Sequence, residues 1–107
     1  MIHVLSTCTV IMGKREEFGD MVKEITSVYE KHGAKLVGFW WTLGGEANEA
    51  VWIYAWKDLK DYEKGQEVVW KDKNFPIEKF SSTVITYTDK ILKPLPLTIV
   101  GARARAK

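Results

Sequence analysis

The sequence predicts an α+β fold of the order β-α-β-β-α-β, in which a four-stranded antiparallel sheet carries both helices on one face. Three observations predict it. Ile2 to Ile11 is dense in β-branched residues and stops at Met12-Gly13, the mark of a strand ending in a turn. From Lys14 the apolar period lengthens, and Phe18, Met21, Val22, Ile25, Val28, Tyr29 and His32 draw one stripe along a helix. Lys35 to Leu43 and Glu49 to Trp56 are then β-rich runs on either side of "GGEAN", a glycine-bearing loop of hairpin length.

Each element carries its own punctuation. Glu16 and Glu17 fall in the first turn of the first helix, Lys31 and His32 in its last, and Gly33 follows as a stop, all in keeping with the helix dipole and with C-terminal capping. Asp58 stands ready to cap a second helix through "LKDYEKGQEVVW", which Gly65 weakens by up to about 1 kcal/mol relative to alanine. "KNFPIEKF" restarts a short helical turn, with Pro76 near its first position. "STVITYTDKIL" is the last strand, and Pro94 and Pro96 end regular structure. The order is the split βαβ, ferredoxin-like arrangement. Residues 1–97 form its one domain, and 98–107, with Arg103, Arg105 and Lys107 between alanines, form a basic C-terminal tail.

Four of the five tryptophans fall between Lys35 and Trp56. Neighbouring strand residues face opposite ways, so parity sorts the hairpin. Val37, Phe39, Trp41 and Leu43 on the second strand and Val51, Ile53 and Ala55 on the third are expected beneath the helices. Leu36, Trp40, Trp52 and Trp56 are expected on the face that the helices leave bare, where they would form a dimer face. A homodimer or a higher even homo-oligomer is the expected assembly.

Composition excludes several classes. A net charge of +2 is too small for nucleic-acid binding by bulk electrostatics. No apolar run approaches the roughly 20 residues of a membrane span, and a cytoplasmic protein is expected. Cys8 is the only cysteine and reads as a buried packing thiol. His3 and His32 are the only histidines, each a candidate proton donor, and no metal-ligand spacing connects them. The His32 position also suits a helix C-terminus. Asn48 reads first as a turn residue and second as a polar handle for a ligand carbonyl. An apolar pocket is expected among Phe39, Trp41, Asn48, Trp52, Tyr54 and Trp70, with Met21 opposite, and its ligand would be a small apolar molecule.

The stretch "HGAKLVGFWWTLGGEANEAVWIYAWKDL" resembles the signature hairpin of the NIPSNAP family at His32-Gly33, Leu36 to Trp40, Thr42, Gly45, Asn48, Val51 and Trp56. "HVLSTCTVIMGKREEF" is similar to the family's opening strand and turn, and "DKILKPLPL" resembles its closing strand, so the likeness covers residues 2 to 96. The resemblance implies a dimeric α/β barrel, a superfamily that also holds cofactor-free monooxygenases, haem-degrading enzymes and small stress-response proteins. It carries no agreed catalytic residues, and Ser6, Met12, Trp52, Tyr54 and Ala55 depart from frequent family residues. The expectation is a family member of unassigned reaction that binds a small apolar ligand or a protein partner and needs no cofactor. The alternative is an enzyme with an aromatic pocket, either a cofactor-free monooxygenase or a haem-handling protein.

Overall fold

A computed structural model describes residues 1–44 and 48–94. The elements run β1 (Ile2–Val10), α1 (Arg15–Lys31), β2 (Lys35–Trp41), β3 (Glu49–Trp56), α2 (Leu59–Lys71), α3 (Ile77–Thr83) and β4 (Val84–Leu92). The sheet has the order β2-β3-β1-β4, with every neighbouring pair antiparallel. The expected α+β fold is the observed one, and the short turn after Pro76 is a helix of seven residues.

Local chemistry explains the joints. Gly13 takes a φ of +88° at the turn into α1, and Gly33 takes +106° at its exit. At that exit the Gly33 N–H bonds to the Glu30 carbonyl and the Ala34 N–H to the Tyr29 carbonyl, the pair of bonds that closes a glycine-terminated helix. The Asp58 carboxylate accepts from the Asp61 N–H at 2.8 Å and caps α2 as expected. The last strand starts two residues later than the sequence suggests. Ser82 and Thr83 belong to α3, because the Ser82 hydroxyl bonds the Lys79 carbonyl and the Thr83 hydroxyl bonds those of Lys79 and Phe80, which holds the helical turn.

The β1 strand is central and alternates cleanly. Ile2, Val4, Ser6, Cys8 and Val10 are buried, while His3, Leu5, Thr7 and Thr9 are half-buried on the other face. Opposed residues share a face, so the register fixes what joins them. Ile2, Val4, Ser6 and Cys8 lie opposite Trp56, Tyr54, Trp52 and Ala50, all on the helix side. This corrects the expected sorting of β3. Trp52 and Trp56 lie beneath the helices, and Val51, Ile53 and Ala55 lie on the open face. Leu36 also moves, since it pairs with Tyr54 and packs against the core. A bulge between Leu36 and Gly38 shifts the parity of β2, so Leu36, Phe39 and Trp41 share the helix side and Trp40 alone of the four expected residues keeps the open face. Val37, expected beneath the helices, is 54% exposed, and Leu43 is fully exposed.

Flat rings fit under the helices because the helices make room for them. Phe18, Met21, Ile25, Val28 and Tyr29 line the buried stripe of α1. Gly65 of α2 rests on Trp56, and a Cβ there would run into Cζ3 and Cη2 of that ring. The glycine that weakens α2 as a helix is what lets it sit on the sheet.

Candidate functional site

The aromatic residues form two connected groups on the helix side. Phe18 of α1 meets Phe39, Trp41 and Trp52 with ring centroids 5.8 to 6.1 Å apart, and Phe39 stacks on Trp52 at 5.2 Å and 6°. Arg15 lies over the Trp41 ring at 4.1 Å, a cation against its π face. Trp70 of α2 meets Phe75, Phe80 and Tyr87 at 4.5 to 5.9 Å. A contact of 5.9 Å between Trp52 and Tyr87 joins the two groups across the sheet. The rings of the expected pocket are thereby filled by one another. Asn48 stands apart at the hairpin, with a φ of 59° and its carbonyl accepting from the Val10 N–H, in the turn role.

Beneath these rings lies a polar cluster. Ser6, 2% exposed, donates to Asp89 at 2.5 Å across the β1–β4 ladder. The Tyr87 hydroxyl faces both, and the Tyr29 hydroxyl comes down from α1 to Tyr87 and to Gln66 of α2. Tyr29 also stacks on Tyr54 at 4.3 Å and 4°, and the Tyr54 hydroxyl bonds that of Thr26 at 2.8 Å. Tyr62 of α2 lies against Trp56 at 5.9 Å. All four tyrosines therefore gather on this side of the sheet. Burial pushes every one of their hydroxyls above the ordinary phenol range, Tyr54 to about 12, and the Asp89 charge pushes Tyr29, Tyr62 and Tyr87 the same way. They remain protonated donors at any physiological pH, and three of them, Tyr29, Tyr62 and Tyr87, feel the Asp89 charge.

Gln66, Tyr87 and Asp89 are not among the residues that stand out in the sequence, and Ser6 stands out there only as a departure from frequent family residues. A signal was present. Aspartate is depleted in strands, and Asp89 shares its parity with Tyr87, which marks a polar pair turned toward the interior.

The remaining candidates do not converge. His3 lies on the open face, opposite Ala55 and Leu92. His32 closes α1, with Nε2 at 2.9 Å from Asp72 Oδ2, and Lys31 reaches the same oxygen at 3.1 Å. Cys8 is buried as expected, and burial pushes its thiol up to about 12, so it is a poor nucleophile. Trp56 Nε1 is buried without a hydrogen-bond partner. Among the described residues no three His, Cys, Asp or Glu side chains converge as metal ligands, and no helix is long and apolar enough to cross a membrane. Gly45 and Glu46 of the hairpin loop and the basic tail lie outside the described residues. A cleft of about 200 Å³ opens between α1 and α3 over Met21 and Thr83, rimmed by Glu17, Asp20, Glu24 and Lys79. A second, of about 380 Å³ and more apolar, opens at the end of the sheet among Met1, Ile2, Asp58, Leu59, Ile91 and Lys93.

Comparison with known proteins places this geometry. The NIPSNAP family model matches residues 4–98. The chain belongs to the NIPSNAP family. Solved NIPSNAP structures share its fold. A family protein of unknown function from Agrobacterium tumefaciens superposes with a TM-score of 0.79 at 24% identity, covering 88% of this chain and 87% of its own. An uncharacterised NIPSNAP domain protein from Burkholderia xenovorans gives 0.78 at 20% identity, covering 90% and 96%. A Nitrosomonas europaea protein with a proposed antibiotic biosynthesis monooxygenase activity gives 0.67 at 15% identity, covering 89% and 99%. No curated protein matches the chain. The reaction of this NIPSNAP protein is therefore not set by its relatives, and its reading rests on the side chains above.

Proposed function

We propose that this NIPSNAP chain is a homodimeric binder of a small, largely apolar molecule with one polar edge, held on the helix side of the sheet and read by the Asp89–Tyr87 pair. One observation carries the ligand reading: a carboxylate and three phenols that stay protonated, Tyr29, Tyr62 and Tyr87, are collected within an otherwise aromatic layer. Donors and an acceptor fixed under apolar rings can orient a ligand hydroxyl or carbonyl while the rings hold its body. Phe39, Trp41 and Trp70 at the margins are only half-buried, which lets them part for a ligand. The dimer follows from the open face, where Leu5, Trp40, Val51 and Ile53 lie together and a second copy is the self-complementary cover. A free buried thiol suits the reducing cytoplasm, where we place the protein.

Native mass spectrometry of the purified chain tests both halves. The expected result is a dimer carrying a discrete extra mass that Asp89→Asn loses while remaining folded and dimeric. A dimer without an adduct, together with no quenching of tryptophan fluorescence by 1-naphthol, overturns the ligand reading. A monomer overturns the assembly.

A second reading, a cofactor-free oxygenase, draws on the same pair. Asp89 could take a proton from a bound phenol or quinol and so ready it for oxygen. Oxygen consumption with a naphthol that Asp89→Asn abolishes supports it, and equal consumption by that variant removes Asp89 from the chemistry. The haem alternative gains nothing from the histidines, which lie on different sides of the fold with His32 held by Asp72.

A further inference from the structure

The apolar cleft at the end of the sheet opens on the same side as the polar pair. Met1, Ile2 and Ile91 from the strand ends and Leu59 from the start of α2 line it, with Asp58 and Lys93 at the rim. Ile91 shares its strand face with Asp89 and Tyr87, and the register sets these three opposite the buried Val4, Ser6 and Cys8. Yet Ile91 is 49% exposed, and Leu59 across the cleft is 48% exposed. The helix side of the sheet thus stands open at this end, over a volume of about 380 Å³. Ligand sites typically measure roughly 300–1,000 Å³.

The cleft and the polar pair lie on one line. Alternate residues of a strand point the same way, so Asp89 is the next side chain inward from Ile91, about 7 Å along β4. On the helix, Leu59, Tyr62, Gln66 and Trp70 follow steps of three, four and four, the spacing of one face. Their surroundings trace the same path. Leu59 borders the cleft, the Asp89 charge acts on Tyr62, Gln66 meets Tyr29 of the polar cluster, and Trp70 meets Tyr87 at 5.9 Å. Tyr62, Gln66, Tyr87 and Asp89 are each half-buried, so the polar row touches solvent between α2 and β4. Lys93, at the rim, is four residues past Asp89, about 14 Å along extended backbone. A hydroxylated ring with a medium alkyl chain has that length. Polar groups at the inner end and apolar walls at the outer end suit such a molecule with its hydroxyl inward.

We infer, on the footing of the ligand site proposed above, that the end cleft houses the alkyl chain of a ligand whose polar edge Asp89 and Tyr87 hold, so that the ligand class is alkyl-substituted phenols and quinols. Leu59 and Ile91 lose exposed apolar surface to the chain, and Asp58 and Lys93 mark where it returns to water.

Isothermal titration of the full chain with para-ethyl-, para-butyl-, para-hexyl- and para-octylphenol tests this. Affinity is expected to tighten about threefold per added methylene until the chain passes the rim. Leu59→Ser with Ile91→Ser keeps the helical circular dichroism and the para-ethylphenol affinity, and flattens the series. Leu59→Trp, which fills the cleft and keeps its wall apolar, makes para-octylphenol bind more weakly than para-ethylphenol. Binding of para-ethylphenol that Asp89→Asn loses, with no gain from longer chains, overturns the tail site and leaves the head site standing. A chain-length gain equal in the wild type and both cleft variants puts the chain elsewhere and likewise overturns the tail site. Equal affinity of the wild type and Asp89→Asn for para-octylphenol overturns the link between cleft and polar pair. No binding by any of these phenols overturns head site and tail site together.

Discussion

The two faces of this sheet are made of different materials, although one set of strands makes both. On the helix side Trp52, Tyr54 and Trp56 lie 6%, 3% and 1% exposed among Phe18, Tyr29 and the α2 glycine. On the open side Trp40, 50% exposed, folds back over Gly38, and beside it run Leu5, Val51 and Ile53 and then threonines. Those threonines pair across the ladder, Thr7 with Thr88 at 2.6 Å and Thr86 with Thr9 at 3.1 Å, and need no partner chain. One face is closed by rings locked between layers. The other is a shallow apolar surface half edged with hydroxyls. A tryptophan therefore stands in different surroundings on the two sides, locked between layers on one and half-exposed on the other.

Truncating one tryptophan from each face tests this difference. Trp56→Ala should cost about 4 kcal/mol in urea unfolding, because a fully buried indole leaves a cavity that Gly65 and Tyr62 cannot fill. Trp56→Phe should cost far less, since it also removes the buried Nε1–H that has no partner. Equal losses in the two variants would mean that a phenyl ring recovers none of the packing the indole makes at this site.

Trp40→Asp is the matching change on the open face. A charge placed there should leave the urea midpoint of the monomer within about 0.5 kcal/mol. It should weaken association by about 2 kcal/mol or more, read as a shift from dimer to monomer in sedimentation equilibrium. If the variant unfolds instead and the wild type was already monomeric, the contrast between the faces fails.

The sequence made the elements legible but not the sides of the hairpin. The bounds of β3, the Asp58 cap and the Gly33 stop were readable because each is a local signal. Which parity of β3 turns inward is a long-range fact, fixed by its pairing with Ile2 and Val4 of β1. Sorting β3 by bulk places its aliphatic residues under the helices and its aromatic ones outside, and it fails because α1 supplies its own rings and α2 a glycine. The bulge after Leu36 then hid the parity of β2. The clean alternation of β1 and the mid-helix Gly65 were the clues available. Of the polar cluster, Ser6, Tyr87 and Asp89 carried only a parity signal, since residues 83 positions apart meet solely through the fold.

Gly65→Ala measures how tightly the closed face is closed. Alanine gains about 1 kcal/mol of helix propensity, while overpacking against Trp56 costs about 1–3 kcal/mol. The net should be a loss of about 1 kcal/mol in thermal or urea unfolding. A gain in stability would show that Trp56 has room to shift, and that the helix side is less rigid than its stacked rings imply.

The smallest expected effect lies off both faces, where the helices meet. Asp72, 6% exposed, is held well below the usual carboxylate range by the Asn74 backbone N–H first, then by the His32 ring and the Lys31 ammonium. A folded-state value that is depressed adds stability above the unfolded carboxylate value of about 4, and that contribution fades as pH falls below it. Asp72→Asn should therefore lower the urea midpoint modestly at pH 7, with the two proteins converging as pH approaches about 2. The slope of stability with pH between about 5 and 2 should be shallower in the variant. Were the difference between the proteins to persist undiminished at low pH, the carboxylate's charge would not be what joins α1 to α2. The Asx turn to Asn74, which asparagine can also make through its side-chain oxygen, would then be sought in the variant's own structure.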